Sequence, residues 1–423
     1  MLFIYGTLSV GGIETFFVRM AKERFHKNLH TSILLLSKPE RSNDELLSEI
    51  KKYASVIYPE DIFYGFSFFC RRFPLLSPVK PKALLDKLMK VDQIHAFDGM
   101  HALLGYRLSQ ILDRKLPVTI GFYHYIKYLW GGGNVAWHEK LNRDFIFNYL
   151  PEKSLLFFSE GNRELYIKHK KQEFGESNTF RLGVIDKKEV ALSGDLITPL
   201  KIVAVGRLVE FKTYNFYMID VVKKLIDKGI DVEFDIYGDG PLKQQIQEKI
   251  KKANLQDKIL LKGTLDYSKF DTTIANYDLF IGSGTAIIQA SALGVPCIVG
   301  VENMIAPKTY GYFCDVWQHE YNLKGLDLSL FKVEDIIHEF ISMEKKQRLE
   351  LKQKHLNCIV MFTNESCQNS MDELKKIEMP QAEFKYNRFF YIISRGIDVI
   401  NIKFNKKHPR VTQFEDFKRF EKQ

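Results

Sequence analysis

Two cations stand close together in a polar stretch that follows an apolar run. Arg207 and Lys212 come directly after Ile202–Val205, and a segment of helical periodicity begins at Tyr214. A strand, a turn and a helix in this order put the turn at the carboxyl end of the strand, where parallel sheets bind ligands. An arginine fork and a lysine point charge together suit a diphosphate. The alternative interpretation is a solvated surface pair.

Three glycine-containing turns follow predicted strands in the same half of the chain. They contain Gly206; then Gly238, Asp239 and Gly240; and then Ser283, Gly284 and Thr285. Backbone amides at such turns and at helix N-termini bind phosphate or sugar hydroxyls, although Ser283 or Thr285 can also be a plain N-cap. Gln289 lies one helical turn beyond Thr285, where its amide can meet a ribose hydroxyl.

The first half of the chain has its own polar residues after predicted strands. Gly11 and Gly12 separate a first strand from an amphipathic helix and permit a close backbone approach to an anion. His95 and Asp98 follow one later strand, and His124 follows the next. A histidine at a strand end can orient a sugar or move a proton, but a structural histidine is the alternative.

These residues require two series of alternating strands and helices. At 423 residues the chain is expected to form two domains. Strands are predicted at 2–5, 31–36, 93–96, 118–122 and 155–158, and again at 202–205, 232–237, 259–261, 278–281 and 297–299. The predicted domains are 1–186 and 201–380, with a linker at 187–200 and a return helix with a basic tail at 381–423. Ligands are expected in a cleft at the carboxyl edges of both sheets.

The charge of +9 is concentrated at the C-terminal end. From Phe384 onward ten Lys and Arg stand against four acidic residues, which leaves +6 in this segment. The segment fits an anionic membrane face or an anionic polymer, or it is a solvated helix with a disordered end. Phe and Tyr beside cations over 62–88 fit an interfacial membrane element, or a loop and helix packed on the sheet.

Several classes of protein are disfavoured by the sequence. No nucleic-acid recognition motif, metal-ligand spacing or apolar run of membrane-spanning length is found. The five cysteines form no CxxC pair, and their odd number indicates a reducing compartment. With no signal peptide expected, the predicted location is cytoplasmic, including the inner face of the membrane.

The same motifs resemble those of a known enzyme family. Residues 205–212 resemble the diphosphate-binding turn of GT-B glycosyltransferases of the GT4 type, and residues 236–241 are similar to the glycine turn of that family. Residues 11–14 resemble its amino-terminal glycine loop. Residues 94–98 resemble a strand end of the family that is rich in histidine, and residues 117–124 resemble the strand whose terminal histidine lies by the transferred sugar. The resemblance covers about the first 330 residues and is most specific over 202–300.

The resemblance implies an α/β GT-B fold of two Rossmann-like domains and a hexosyltransferase activity. The donor would be a UDP- or GDP-sugar, bound without metal or other cofactor and transferred with retention. The acceptor would be a glycan or a polyprenyl-diphosphate-linked glycan in capsule, lipopolysaccharide or exopolysaccharide assembly. His124, Arg207 and Lys212 would be catalytic, the glycine turns with Gln289 would bind the donor, and His95 and Asp98 would lie on the acceptor side.

One departure from that family concerns two glutamates that usually precede the run at 291–296. Ile281 and Gln289 occupy their positions. Gln289 retains a hydrogen-bonding side chain, whereas Ile281 cannot contact a sugar through a carboxylate. This departure favours a catalytically inactive partner subunit as an alternative. A nucleotide-sugar epimerase of the same fold, which would use a similar nucleotide pocket, is a further alternative.

Overall fold

The computed structural model describes residues 1–9, 11–124, 126–196 and 198–412. They divide into two compact units. The first unit contains Met1–Gly183 and the chain from Asn364 onward, and the second contains Val184–Thr363. The part of the predicted basic tail beyond residue 412 lies outside the described residues.

The first unit is built on a parallel sheet with helices on both faces. Its strands are β1 (Leu2–Tyr5), β2 (Ser32–Leu35), β3 (Ser55–Ile57), β4 (Ile94–Ala96), β5 (Val118–Gly121), β6 (Leu155–Phe157) and β7 (Asn178–Thr179). Its helices up to Gly183 are α1 (Gly12–His26), α2 (Asp44–Ile50), α3 (Pro59–Ile62), α4 (Ser67–Arg72), α5 (Pro81–Leu88), α6 (Gly99–Ile111), α7 (Trp137–Asp144) and α8 (Glu160–Lys170). The strand order in the described residues is β3-β2-β1-β4-β5-β6-β7.

The second unit repeats this architecture with a smaller sheet. Its strands are β8 (Leu200–Val205), β9 (Val232–Tyr237), β10 (Ile259–Gly263), β11 (Leu279–Gly282) and β12 (Cys297–Val299), with a short antiparallel pair β13 (Lys308–Thr309) and β14 (Phe331–Lys332). Its helices are α9 (Tyr214–Asp227), α10 (Lys243–Lys252), α11 (Phe270–Ile274), α12 (Thr285–Ser291), α13 (Phe313–Val316), α14 (Val333–Ser342) and α15 (Lys345–Ile359). The described parallel strands follow the order β10-β9-β8-β11-β12.

The chain rejoins the first unit earlier than the sequence analysis placed it. Helices α16 (Asn364–Glu373) and α17 (Arg388–Phe404) both belong to this unit. Cys367 and Met371 of α16 are buried in the same apolar cluster as Phe16 and Phe17 of α1. This packing explains why the return begins at Asn364 and not at residue 381.

Each sheet separates two apolar layers. In β1, Leu2 and Ile4 belong to one buried cluster, whereas Phe3 belongs to the cluster on the opposite face. In β8, Ile202 and Val203 are divided between two clusters in the same way. Alternate residues of a strand point to opposite faces, so strands covered on both sides must be apolar throughout. Polar residues are therefore found in the turns that follow the carboxyl ends of the strands.

The aromatic segment at 62–88 is partly packed in the core and partly exposed. Ile62, Phe63 and Cys70 are buried in the core of the first unit. Phe66 and Phe68 remain 87% and 73% exposed, respectively. Among the described residues, no helix has the length and apolar content that a bilayer span requires.

Candidate functional site

The turns after β8 and β9 are locked against each other in the second unit. The Leu208 amide donates to the Asp239 carbonyl at 3.0 Å, and the Leu242 amide donates to the Leu208 carbonyl at 3.2 Å. Gly238 has φ +154°, and a Cβ on it would lie 1.9 Å from the Gly206 carbonyl oxygen. Only a glycine at position 238 allows the two turns this approach.

Lys212 lies directly over the first of these turns. Its Nζ would be 2.6 Å from a Cβ built on Gly206. Burial lowers the pKa of Lys212, the Glu302 carboxylate opposes that shift, and the Arg207 guanidinium adds to it. Arg207 is exposed, and Lys212 is partly buried. The two predicted cations are thus close enough to affect each other, and Lys212 lies over the backbone of Gly206, which no side chain covers.

Glu302 is a neighbour of these cations that the sequence analysis missed. It follows β12 and accepts a hydrogen bond from the Ser283 hydroxyl at 2.8 Å. Its backbone amide donates to the Asn322 carbonyl at 2.8 Å, which fixes the loop. The only available signal was its place after a parallel strand, because no local motif surrounds it.

Polar groups of the turn after β11 are already hydrogen-bonded within the protein. The Gly284 amide already donates to the Asn322 side-chain oxygen at 3.0 Å, so the protein itself uses that donor. Ser283 is buried and bonded to Glu302, whereas Thr285 is exposed at the start of α12. This corrects the expectation that the Gly284 amide is available to a ligand.

Ile281 and Gln289 differ in their access to this edge. Ile281 is fully buried in the apolar core of the second unit. Gln289 is partly buried on α12. A side chain at position 281 lies inside this core, so a carboxylate there would be buried among apolar side chains.

Asp239 and Gly240 have a local structural role. The Asp239 carboxylate accepts a hydrogen bond from the Gly240 amide at 2.8 Å and pairs with Lys243 at 3.1 Å. The hydrogen bond from the Gly240 amide lowers the pKa of the Asp239 carboxyl, and the nearby Lys243 ammonium lowers it as well. Asp239 is exposed, so its side chain shapes the turn and remains open to solvent.

In the first unit the glycine loop surrounds a carboxylate. Glu14 is buried and accepts hydrogen bonds from the Ser9 hydroxyl at 2.8 Å and the Tyr5 hydroxyl at 3.1 Å. A Cβ on Gly11 would lie 2.4 Å from the Glu14 carboxylate, while one on Gly12 would meet open space. Gly11 therefore makes room for Glu14, and Gly12 leaves exposed backbone beside it.

His95 lies inside the sheet and is not at its polar edge. Its Nδ1 is 2.9 Å from the Thr119 hydroxyl, and its Nε2 is 2.7 Å from the Tyr123 hydroxyl. Burial lowers its pKa to about 3, so the ring is neutral at physiological pH. The expectation that His95 reaches a sugar is corrected, because both ring nitrogens are already bonded within the protein.

Asp98 and His124 instead line one cavity of about 410 Å³ in the first unit. We call it the charged pocket, and its ionisable lining includes Asp98, His124, Lys127, Glu139, Arg395 and Arg410. Asp98 caps α6 by accepting from the His101 amide at 2.9 Å. Burial opposes ionisation of Asp98, but His101 and Lys127 hold its pKa at about 2.

The charged pocket also contains residues that the sequence analysis did not select. Lys127 donates to the Phe97 carbonyl at 3.0 Å, and burial lowers its pKa to about 8. Burial also lowers the pKa of His124, and the charge of Lys127 adds to that effect. Arg395 enters from the distant α17, a position that strand-end reasoning cannot reveal.

The stretch that carries both cations is similar to a known family. Residues 195–320 match the family described as Glycosyl transferases group 1. The second unit thus contains a stretch that is similar to group 1 glycosyl transferases. The match contains Arg207, Lys212, Gln289 and Glu302, and the charged pocket lies outside it.

Curated relatives match within part of the chain. One is the 2-deoxystreptamine N-acetyl-D-glucosaminyltransferase of Niallia circulans, 29% identical over 25% of this chain and 29% of that relative. The putative glycosyltransferase EpsF of Bacillus subtilis is 29% identical over 26% of this chain and 30% of its own length. The putative colanic acid biosynthesis glycosyltransferase WcaL of Escherichia coli is 25% identical over 24% of this chain and 28% of its own length. The aligned stretch thus spans less than a third of each relative.

Solved structures match nearly the whole chain. The lipopolysaccharide outer core galactosyltransferase WaaB has a TM-score of 0.53 and 13% identity, covering 88% of this chain and 99% of its own. Anabaena HepE, solved with UDP and glucose, has a TM-score of 0.52 and 14% identity, covering 88% of this chain and 98% of its own. The predicted GT-B fold is confirmed, and the stretch that matches the family lies in its second Rossmann-like half.

Proposed function

We propose that the chain is a hexosyltransferase that moves a sugar from a nucleoside diphosphate to an acceptor in bacterial polysaccharide assembly. The observation that carries this proposal is the cation pair Arg207 and Lys212 above the Gly206 turn of a glycosyl transferase domain. The names of WcaL and WaaB support a role in surface polysaccharides. The UDP in the HepE structure supports a UDP-sugar donor, with a GDP-sugar as the alternative.

In the proposed reaction, the two cations neutralise the diphosphate as its bond to the sugar carbon breaks. The acceptor oxygen bonds to that carbon on the same face, which retains the configuration, and its proton passes to the leaving diphosphate. Electrostatic stabilisation of the departing charge is the major contribution, without a metal. Gln289 binds the ribose, and His124 with Asp98 binds sugar hydroxyls in the first unit.

A panel of nucleotides tests the donor assignment. We expect UDP or GDP, with the corresponding sugar nucleotide, to raise the thermal unfolding temperature of the full chain, because a ligand that binds the folded state stabilises it. ADP and CDP serve as controls for non-specific binding. A panel in which no nucleoside diphosphate changes the unfolding temperature would contradict the assignment.

A catalytically inactive partner subunit is the second candidate function. It is favoured by the burial of Ile281, which leaves one of the two expected carboxylate positions inside the core. Glu302 supplies a carboxylate at the same sheet edge and favours an active enzyme. Donor hydrolysis and transfer assays separate the two, since an inactive subunit binds nucleotide without turnover.

We also propose that the first unit docks on the cytoplasmic face of an anionic membrane. One side of α17 exposes an apolar stripe at helical spacing, consisting of Phe389, Ile393, Ile397, Ile400 and Phe404. Phe73 after α4 and Val399 of α17 line one crevice, so the exposed Phe66 and Phe68 belong to a neighbouring element. Lys403, Lys406 and Lys407 add positive charge at the end of α17. An apolar face flanked by lysines suits an interfacial membrane contact.

Polar substitutions on this surface should weaken membrane binding and leave transfer to a soluble acceptor intact. We expect Phe68→Ser with Ile397→Ser to lower co-sedimentation with phosphatidylglycerol vesicles by at least about fivefold, because apolar burial and charge act together. Deletion from Lys403 should act in the same direction. Leu260→Ser, an exposed position in the second unit, is the control. Unchanged sedimentation of the double variant would remove the docking surface.

A further inference from the structure

Three lysine or arginine side chains and two carboxylates line the charged pocket. Glu139 is already committed, because its Oε1 accepts from Arg143 at 3.0 Å and its Oε2 accepts from Asn142 at 3.2 Å. Asp98 is committed in part, as the cap of α6. Lys127, Arg395 and Arg410 contribute the positive charges of the lining.

Arg395 is the cation best placed to receive a ligand. Among the residues that the structure describes, its guanidinium has no hydrogen bond and no ion pair, although it is only partly exposed. Its charge nevertheless acts on Asp98, His101 and His138, so it faces the interior of the pocket. A half-buried guanidinium that lacks a partner is costly unless an anion completes its hydrogen bonds.

Lys127 lines the same pocket as Arg395. One of its donors is used by the Phe97 carbonyl, and the Phe97 ring lies 3.5 Å from the ammonium. An ammonium has three donors, so others remain for a ligand. Burial is the main cause that lowers the pKa of Lys127, and Arg410 adds to it, whereas Asp98 and Glu139 raise it.

We propose that the charged pocket binds an oxyanion group of the acceptor through Arg395 and Lys127. This inference rests on the proposed transferase function and specifies its acceptor as anionic. The diphosphate of a lipid-linked acceptor and the carboxylate of an acidic glycan both supply this chemistry. The exposed apolar stripe on the other side of α17 favours the lipid-linked source, since the same helix then serves the anion and the lipid chain.

Calorimetric titration of the full chain with three probes tests the proposal. The probes are farnesyl phosphate, galacturonic acid and neutral galactose. We expect Arg395→Gln to weaken binding of an anionic probe by at least about tenfold, because a charge-assisted hydrogen bond is lost. Arg395→Lys should recover part of the affinity. Arg388→Gln, an exposed arginine on the same helix, is the matched control and should bind like the unaltered chain.

The three probes also identify the source of the anion. Arg395-dependent binding of farnesyl phosphate supports a lipid-linked acceptor, and Arg395-dependent binding of galacturonic acid alone supports an acidic glycan. Equal affinities of the Arg395→Gln and unaltered chains for both anions would overturn the proposal, as would binding of galactose alone. Lys127→Gln provides the same test if Arg395→Gln does not fold.

Nucleotide binding distinguishes this inference from the proposed function. The thermal shift produced by the nucleoside diphosphate reports on the second unit and should be unaffected by Arg395→Gln. A chain that binds nucleotide but no anionic probe retains the donor assignment and loses the anionic acceptor. A chain that binds an anionic probe through Arg395 but no nucleotide loses the donor assignment instead.

Discussion

Lys212→Ala should lower kcat by at least about tenfold, which corresponds to roughly 1.4 kcal/mol of transition-state stabilisation, and Arg207→Ala should do the same. Lys212 lies over the Gly206 turn with Arg207 nearby, and in the proposed reaction the leaving diphosphate gains negative charge there. An interaction that strengthens as charge develops acts on kcat more than on substrate binding. Steady-state kinetics with a sugar nucleotide and an acceptor measure both quantities.

Lys251→Ala is the matched control for these variants. Lys251 is an exposed lysine on α10 of the same unit, so its removal changes the net charge equally but leaves the turns intact. Circular dichroism and thermal unfolding should show that all three variants fold. Unchanged kinetics in both Arg207→Ala and Lys212→Ala would remove the diphosphate assignment.

The sequence was most informative where buried strands alternate with amphipathic helices. Helix α9 spans Tyr214–Asp227, as predicted, and β9 spans Val232–Tyr237, also as predicted. Strands of parallel sheets are apolar on both faces, so their ends are conspicuous in the sequence. The short β3 and β7 at the sheet edges were missed, because an edge strand needs fewer apolar residues.

Whether an individual polar residue can contact a ligand depends on its tertiary hydrogen-bond partners, and these cannot be predicted from sequence spacing. His95 was expected at the ligand, but Thr119 from β5 and Tyr123 beyond it occupy both of its ring nitrogens. Glu302 has no motif of its own and becomes visible only through Ser283 and Lys212. A strand end marks an edge of the sheet, whereas side-chain contacts decide which residues there can meet a ligand.

Glu302 bears on the question raised by Ile281. The family pattern predicts a carboxylate at position 281, and the structure buries the isoleucine there in the core. A carboxylate reaches the same edge from the loop after β12, where it touches Ser283 and lies close to Lys212. Although β11 has Ile281 in place of a glutamate, this edge of the second unit therefore still has a carboxylate that can balance the charge of Lys212.

Gly238→Ala should destabilise the second unit by about 3 kcal/mol, because the new methyl group would overlap the Gly206 carbonyl in an already unfavourable backbone conformation. The clash distance is 1.9 Å, and the partner is backbone that cannot rotate away. Thermal unfolding of the full chain measures the effect as a lower unfolding temperature.

Gly229→Ala separates steric overlap from backbone strain. Gly229 also has positive φ, at +83°, but a Cβ there meets nothing within 4 Å, so its loss should be only about 1 kcal/mol. If both variants unfold at the same temperature, the two turns are not packed as described. If Gly238→Ala alone is strongly destabilised, relief of the clash must move the Gly206 turn, and Lys212 with it. The same variant should then also bind nucleoside diphosphate more weakly than Gly229→Ala.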